Sequence, residues 1–322
     1  MESSWSDETG SYHHLDRDTH RAYSGEKLGS GKGAFDLEIG RRFPFPVRIV
    51  VKVLGVENQR HALQVFLHGT GARGRHRVER LGERDFSWYW GIGSSTSAKT
   101  YLEIDRVEAR GISTDFEVEV RVADYTRQDL SLPLPLWAGI PSPERARLLV
   151  ERTVLDPARY WRPFGLPTTS ASDPSYSPDG SHGAGTVWLL WNTMIGEGLL
   201  DYGNVGQAAE LLTRLMQPIV HGLRGHHAFY EAYNPELLEG IGERHHLGGL
   251  APLGLFLKLL GVQLISPTKV VVRGRNPFPW PVELRWRGIM VRSGASRIEI
   301  TFIDGSRAVV DGEIPRVVEQ LA

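Results

Sequence analysis

The chain has 322 residues, 41% of them hydrophobic and 23% charged, with 37 Lys and Arg against 38 Asp and Glu. A formal charge of −1 argues against nucleic acid or an anionic membrane as an obligate partner, and the absence of cysteine excludes disulfides and thiolate chemistry. The length asks for two or more domains. Met1-Glu-Ser-Ser-Trp-Ser-Asp-Glu has neither a basic nor an apolar signal region, and no apolar run approaches the roughly 18 residues of a membrane span. The expectation is a cytoplasmic protein with no membrane partner.

Residues 1–32 are polar and rich in Ser, Gly, Asp and His, and read as a flexible leader. His13, His14 and His20 with Asp16 and Asp18 are metal-ligand types, but they carry no defined ligand spacing, so a solvated terminus is the better reading. No metal or cofactor is expected. From 33 to 133 the pattern is β. Val47 to Leu54, His61 to Leu67, Thr100 to Val107 and Phe116 to Val122 largely alternate apolar with polar residues, with glycines between them. Several short antiparallel strands of this kind predict a β-sandwich. His68-Gly-Thr-Gly-Ala-Arg-Gly resembles a phosphate loop only in its glycines. It lacks the Gly-Lys-Ser/Thr ending and no helix follows it.

The Pro-rich stretch Leu132 to Leu136 opens a helical region, 134–265. Ser142-Pro143 is an N-cap followed by proline at the first helical position, predicting a helix to about Leu155. A second helix runs from Thr186 to Tyr202 and stops at Gly203. The third, Val205 to Leu223, places Ala208, Leu211, Leu212, Leu215, Met216, Ile219 and Val220 on one face, with Pro218 a potential kink. The fourth, Leu250 to Leu260, is apolar all round and is expected to be buried. The long Tyr160–Gly185 connection reads as a functional loop. Trp137, Trp161, Trp188 and Trp191 all fall in this region, consistent with a ligand cleft or with a large core.

Residues 229–246 pack four carboxylates among aromatics, histidines and glycines. Sugars offer apolar C–H faces to Trp and Tyr and hydroxyls to carboxylates, and glycosidic cleavage needs one carboxylic acid and one carboxylate. A solvated acidic loop is the competing reading. His226, His227, His245 and His246 suggest a metal-dependent hydrolase more weakly, because adjacent histidines point apart. Residues 266–322 return to alternating strands with an Asp304-Gly305 hairpin signal, and read as a small C-terminal β-module.

Five segments occur in order: Pro141-Ser-Pro-Glu-Arg-Ala, Asp156-Pro-Ala-Arg-Tyr-Trp-Arg-Pro-Phe-Gly-Leu-Pro-Thr-Thr, Gly185-Thr-Val-Trp-Leu-Leu-Trp-Asn, Glu197-Gly-Leu-Leu-Asp-Tyr-Gly and Phe229-Tyr-Glu-Ala-Tyr-Asn-Pro. Together they resemble the last third of an (α/α)6-barrel glycosidase of glycoside hydrolase family 63, with the mannosylglycerate-hydrolase-like enzymes and related trehalases. The resemblance implies that Glu231 is the general base of an inverting enzyme acting on an α-linked glycoside. Glu243 is a rival base. It also implies a sugar site lined by Trp188, Trp191 and Asn192, with Tyr233 and Asn234 positioning Glu231 or a hydroxyl and Trp161 nearby. Trp188 and Asn192 are four apart and share a helix face.

The family's barrel has twelve helices, whereas about four are legible here. Its general-acid motif has no counterpart, and Asp173 and Asp179 do not match it. The expected fold is therefore α+β: an N-terminal antiparallel β-sandwich, a partial (α/α)-toroid helical domain and a small C-terminal β-module. The expected function is a glycoside hydrolase, or the C-terminal portion of one, acting on an oligosaccharide or small glycoside. The alternative is a non-catalytic carbohydrate-binding or partner subunit without the acid. A companion chain or a homo-oligomer could complete the barrel.

Overall fold

The computed structural model describes residues 4–7, 9–55, 62–71, 74–180, 184–274, 276–311 and 314–320. They mix helices with antiparallel sheets, an α+β composition, and the chain divides into two compact units. One contains Met1–Glu8 and Tyr12–Gln128, and the other Thr9–Ser11 and Asp129–Ala322.

The first unit holds a four-stranded sheet, in the order Phe35–Val47, Tyr101–Arg110, Gln64–Thr70, His76–Gly82. It also holds a five-stranded sheet, in the order Ser24–Lys32, Glu117–Ala123, Ile49–Leu54, Ile92–Thr96, Ser87–Tyr89. Alternation sends Ile49, Val51, Val53, Val118 and Val120 of one sheet, and Val65, Leu67, Ile104 and Val107 of the other, into one core. Burying each such side chain contributes about 1.5–3 kcal/mol. Val50 and Lys52 face the other way, where Ala22 packs on Val50.

Ser24–Lys32 corrects the expected leader. It is a nine-residue strand paired with Glu117–Ala123. Its sequence hides this because two glycines leave room for rings and branches from the next strand. A Cβ at Gly31 would meet Phe35 at 2.5 Å, and one at Gly29 would meet Leu37 at 2.6 Å. His61, the predicted start of another strand, lies outside the described residues, and that strand is observed over Gln64–Thr70.

In the second unit, α1 is Pro143–Leu149, with Ser142 Oγ accepting the Arg145 N–H at 3.4 Å. It continues as a wider turn over Val150–Val154. Helix α2 spans Leu189–Asp201 and ends before Gly203, whose φ is +80°. Helix α3 spans Val205–His226 and continues through Pro218. Helix α4 spans Leu253–Leu260. A Cβ at Gly196 of α2 would stand 2.5 Å from Leu255, so this glycine sets the approach of α4.

The expectation that the fourth helix is buried all round fails. Leu255, Leu259 and Leu260 are buried, but Leu253 is 62% exposed. Its outer side is left open as one wall of an apolar groove of about 840 Å³ shared with Met216 and Val220 of α3 and with Trp280.

Three further sheets complete this unit. Tyr230–Tyr233 pairs with Gly240–Arg244. Val262–Ser266, Lys269–Val272 and Arg316–Glu319 form a three-stranded sheet, so the boundary expected between 265 and 266 falls within a strand. Strand ladders of this kind cannot be cut without orphaning backbone groups. Val282–Trp286, Ile289–Ser293, Arg297–Thr301 and Arg307–Asp311 form a meander. Asn276 anchors the Pro-rich segment before it, donating to the Trp280 and Ser293 carbonyls at 2.8 and 3.0 Å.

Candidate active site

Two sets of backbone bonds assemble the site region. Val187 and Tyr233 exchange both of theirs, at 2.8 and 3.0 Å, which pins the strand carrying Glu231 to the entry of α2. Leu130 donates its N–H to the Thr168 carbonyl at 2.7 Å, which brings the segment before α1 onto the long loop.

Trp188, at the N-cap of α2, and Trp191, in its first turn, line a cleft of about 350 Å³ with Asp129, Ser131 and Thr168. The Trp188 indole N–H donates to Thr186 Oγ1 at 3.0 Å, which fixes the ring. Asp129 is the carboxylate of this cleft, and sequence reasoning missed it. It sits at the edge of the Pro-rich entry segment, where nothing in the local pattern marks it. Its Oδ1 accepts the Ser131 N–H at 2.9 Å and the Ser131 hydroxyl.

Asn192 is fully buried and its amide is spent on the backbone. Oδ1 accepts the Leu166 N–H at 2.8 Å, while Nδ2 donates to the Leu166 and Trp188 carbonyls at 2.9 and 3.0 Å. It ties the long loop to α2 beneath the tryptophans. Tyr233 is likewise buried. Its hydroxyl donates to the Gly249 carbonyl at 3.1 Å and accepts the Tyr230 N–H at 3.3 Å. Burial pushes its ionisation up, so it stays neutral.

Glu231 is half-buried on its strand, and its Oε2 accepts the Glu243 backbone N–H at 3.4 Å. Glu243 itself is exposed on the partner strand. The hairpin accommodates Glu231 because Gly242, with φ +81°, lies under the carboxylate. Gly240 and Gly249 leave space for Tyr230 in the same way, since a Cβ at either would come within 2.0 Å of it. Local folding therefore needs this run of glycines among the acidic residues.

Asn234 works as a turn-former. Its Oδ1 accepts the N–H groups of Glu236 and Leu237 at 2.8 and 3.1 Å, and its Nδ2 donates to Asp179 at 2.9 Å. That turn presents Glu236, one of the four carboxylates of residues 229–246, to which the sequence assigned no role. Arg162 grips both its oxygens at 2.5 and 2.9 Å, and the Tyr176 hydroxyl donates to it at 2.9 Å. Burial raises its proton affinity, but the Arg162 and Tyr176 hydrogen bonds and the Arg162 charge outweigh that, and the carboxyl lies below its ordinary range.

Trp161 stands beside this cluster, with the Arg214 guanidinium 4.7 Å above its ring. Trp137 bonds Glu197 of α2 at 3.2 Å. Asp173 caps its own turn through Ser175 at 2.8 and 2.6 Å. His226 bonds the Tyr230 hydroxyl at 3.0 Å. Among the described residues no group of three or more His, Asp and Glu is placed to hold a metal ion, and no helix is long and apolar enough to cross a membrane.

The structure thus gathers Trp188 and Trp191 over Asn192, and Glu231 with Glu243 on one hairpin. Trp161 belongs to the Glu236 cluster.

Residues 116–247 match the family model of the mannosylglycerate hydrolase MGH1-like glycoside hydrolase domain. The curated mannosylglycerate hydrolase of Thermus thermophilus is 34% identical over 111 residues, which cover 34% of this chain and 24% of that protein. The crystal structure of a family 63 mannosylglycerate hydrolase of Thermus thermophilus, in complex with Tris and D-glycerate, is 29% identical, at a TM-score of 0.34 over 43% of this chain and 31% of that one. The neutral trehalase of Saccharomyces cerevisiae is 21% identical, at a TM-score of 0.34 over 44% of this chain and 24% of that one. Over the matched segment the chain is similar to glycoside hydrolases. Within that class it resembles the mannosylglycerate-hydrolase-like members of family 63, although it spans only 24% of the curated relative's length.

Proposed function

We propose that this chain is a glycoside hydrolase of the family 63 type, or the C-terminal portion of one, cleaving an α-linked glycoside with inversion. The observation that carries this reading is the Val187–Tyr233 bridge. It fixes a half-buried carboxylate, Glu231, at a constant offset from two tryptophans that can stack a pyranose. In this reading Glu231 deprotonates the water that attacks the anomeric carbon. Asn192 and Tyr233 act as positioning residues, and Asn234 shapes the turn beyond the base. The leaving oxygen also needs a proton. Asp129, the carboxylate that lines the tryptophan cleft with Trp188 and Trp191, is the acid we assign. In this proposal the two sheets between Ser24 and Ala123 form the β-sandwich, α1 to α4 the partial toroid, and the strands from Val262 onward the appended module. A companion chain or second copy completes the helical ring.

The test is product release from a panel of α-linked glycosides that includes mannosylglycerate and trehalose, with the anomer of the product read by proton NMR. Glu231→Gln is expected to lower kcat by at least about a hundredfold, while Glu243→Gln leaves it within about threefold. Retained turnover in Glu231→Gln would remove the base assignment. Binding without turnover by the wild type would favour the non-catalytic carbohydrate-binding reading.

A further inference from the structure

Trp90 occupies a backbone position that disfavours it. The strands Ser87–Tyr89 and Ile92–Thr96 are joined by the two-residue turn Trp90-Gly91, with Tyr89 opposite Ile92. Both turn residues have positive φ, +46° at Trp90 and +75° at Gly91. Turns of this hand select Asn, Asp or Gly at the first position, because a Cβ is strained there. A tryptophan in this conformation, with 74% of its surface in water, gains little burial in return. Strain kept for so little packing points to a binding role.

The surroundings fit a ligand. Tyr89 stands next to Trp90 with ring centroids 6.2 Å apart. Tyr89 is also one wall of a cleft of about 210 Å³ on the outer face of the five-stranded sheet. Tyr23 also lines this cleft, and the polar lining includes Lys52, Ser94 and Asp18. Ser94 and Lys52 are directly paired across the sheet, so both project to this side. Asp16 holds the rim in shape by accepting the Thr19 N–H and hydroxyl, both at 2.8 Å.

We propose that the Tyr89–Trp90 hairpin and the adjoining cleft form a carbohydrate-binding site on the first unit, taking the pyranose rings of a glycan chain. Rings would stack on Trp90 and Tyr89, and hydroxyls would reach Asp18 and Lys52. That the ligand is a glycan rests on the glycosidase reading, but the site needs none of the residues assigned to catalysis.

The test is retardation of the full chain in native gels containing soluble α-mannan or α-glucan, run beside turnover of a small soluble glycoside. Trp90→Ala should weaken retention by about tenfold or more, which is a loss of about 1.4 kcal/mol, with turnover unchanged. Trp90→Asn separates function from folding. It relieves the turn, so its Tm should rise while retention falls. Glu231→Gln should be retained as well as wild type. Wild-type turnover without retention on either glycan would overturn the binding site and leave the enzyme reading standing. Retention lost in Trp90→Ala without any turnover would keep the site and sink the enzyme. Equal retention of wild type and both Trp90 variants would overturn the proposal.

Discussion

Gly242 lies beneath the carboxylate of Glu231, where a Cβ would stand 2.5 Å from Oε2. Its φ of +81° adds a second reason for glycine. Gly242→Ala must therefore both strain the backbone and displace the carboxylate. We expect a stability loss of about 1–3 kcal/mol and a fall in turnover comparable to that of Glu231→Gln. Thermal unfolding and kcat measured on the same preparation check this. An alanine variant with wild-type kcat would show that the carboxylate position does not matter.

Asn192→Ala leaves the buried Leu166 N–H and the Leu166 and Trp188 carbonyls without their side-chain partner. Leaving such buried groups without a partner costs about 1–3 kcal/mol. Urea unfolding should show that loss as a lower midpoint. Because the amide positions the loop rather than holding sugar, residual turnover should change in KM and kcat together.

Glu236 gives a pH dependence of known sign. Its carboxyl is held below the ordinary range when folded, so the unfolded chain binds its proton more readily. The stabilisation is present above the unfolded value of about 4.3 and is lost as pH falls through the lower folded value. Glu236→Gln should lower stability at pH 7 by about 1 kcal/mol, discounted for partial exposure of the pair. The deficit should shrink below about pH 4. Unfolding midpoints measured from pH 3 to 7 test it; a deficit that stays constant with pH would assign the loss to packing.

Periodicity made the long helix α3 legible, because Leu211, Leu212, Leu215 and Ile219 are all buried as their spacing requires. The outer side of α4 was not legible, since composition alone says that an apolar face wants cover and not whether the chain supplies it. Ser24–Lys32 escaped notice because glycines opposite Phe35 and Leu37 remove the alternation that marks a strand. Tyr230–Tyr233 reads as loop for a related reason: its partner strand is Gly- and Glu-rich. The candidate site divides in the same way. The tryptophans and Glu231 stand out locally. The Arg162–Glu236 and Tyr176–Glu236 contacts join residues 74 and 60 positions apart, and no local pattern announces them.

The bridge between Val187 and Tyr233 has a mechanical meaning. Trp188 is one residue from the clamp on its side and Glu231 two residues on the other. In the proposed reading, the platform and the carboxylate would act as two jaws of one fixed-gap gauge. A ring too wide at the anomeric end would then not be accommodated by sliding Glu231 away, because its strand is bonded to the start of α2. Selectivity for the glycone would then be set by the rigidity of two peptide groups, far more than by any side chain that touches the sugar.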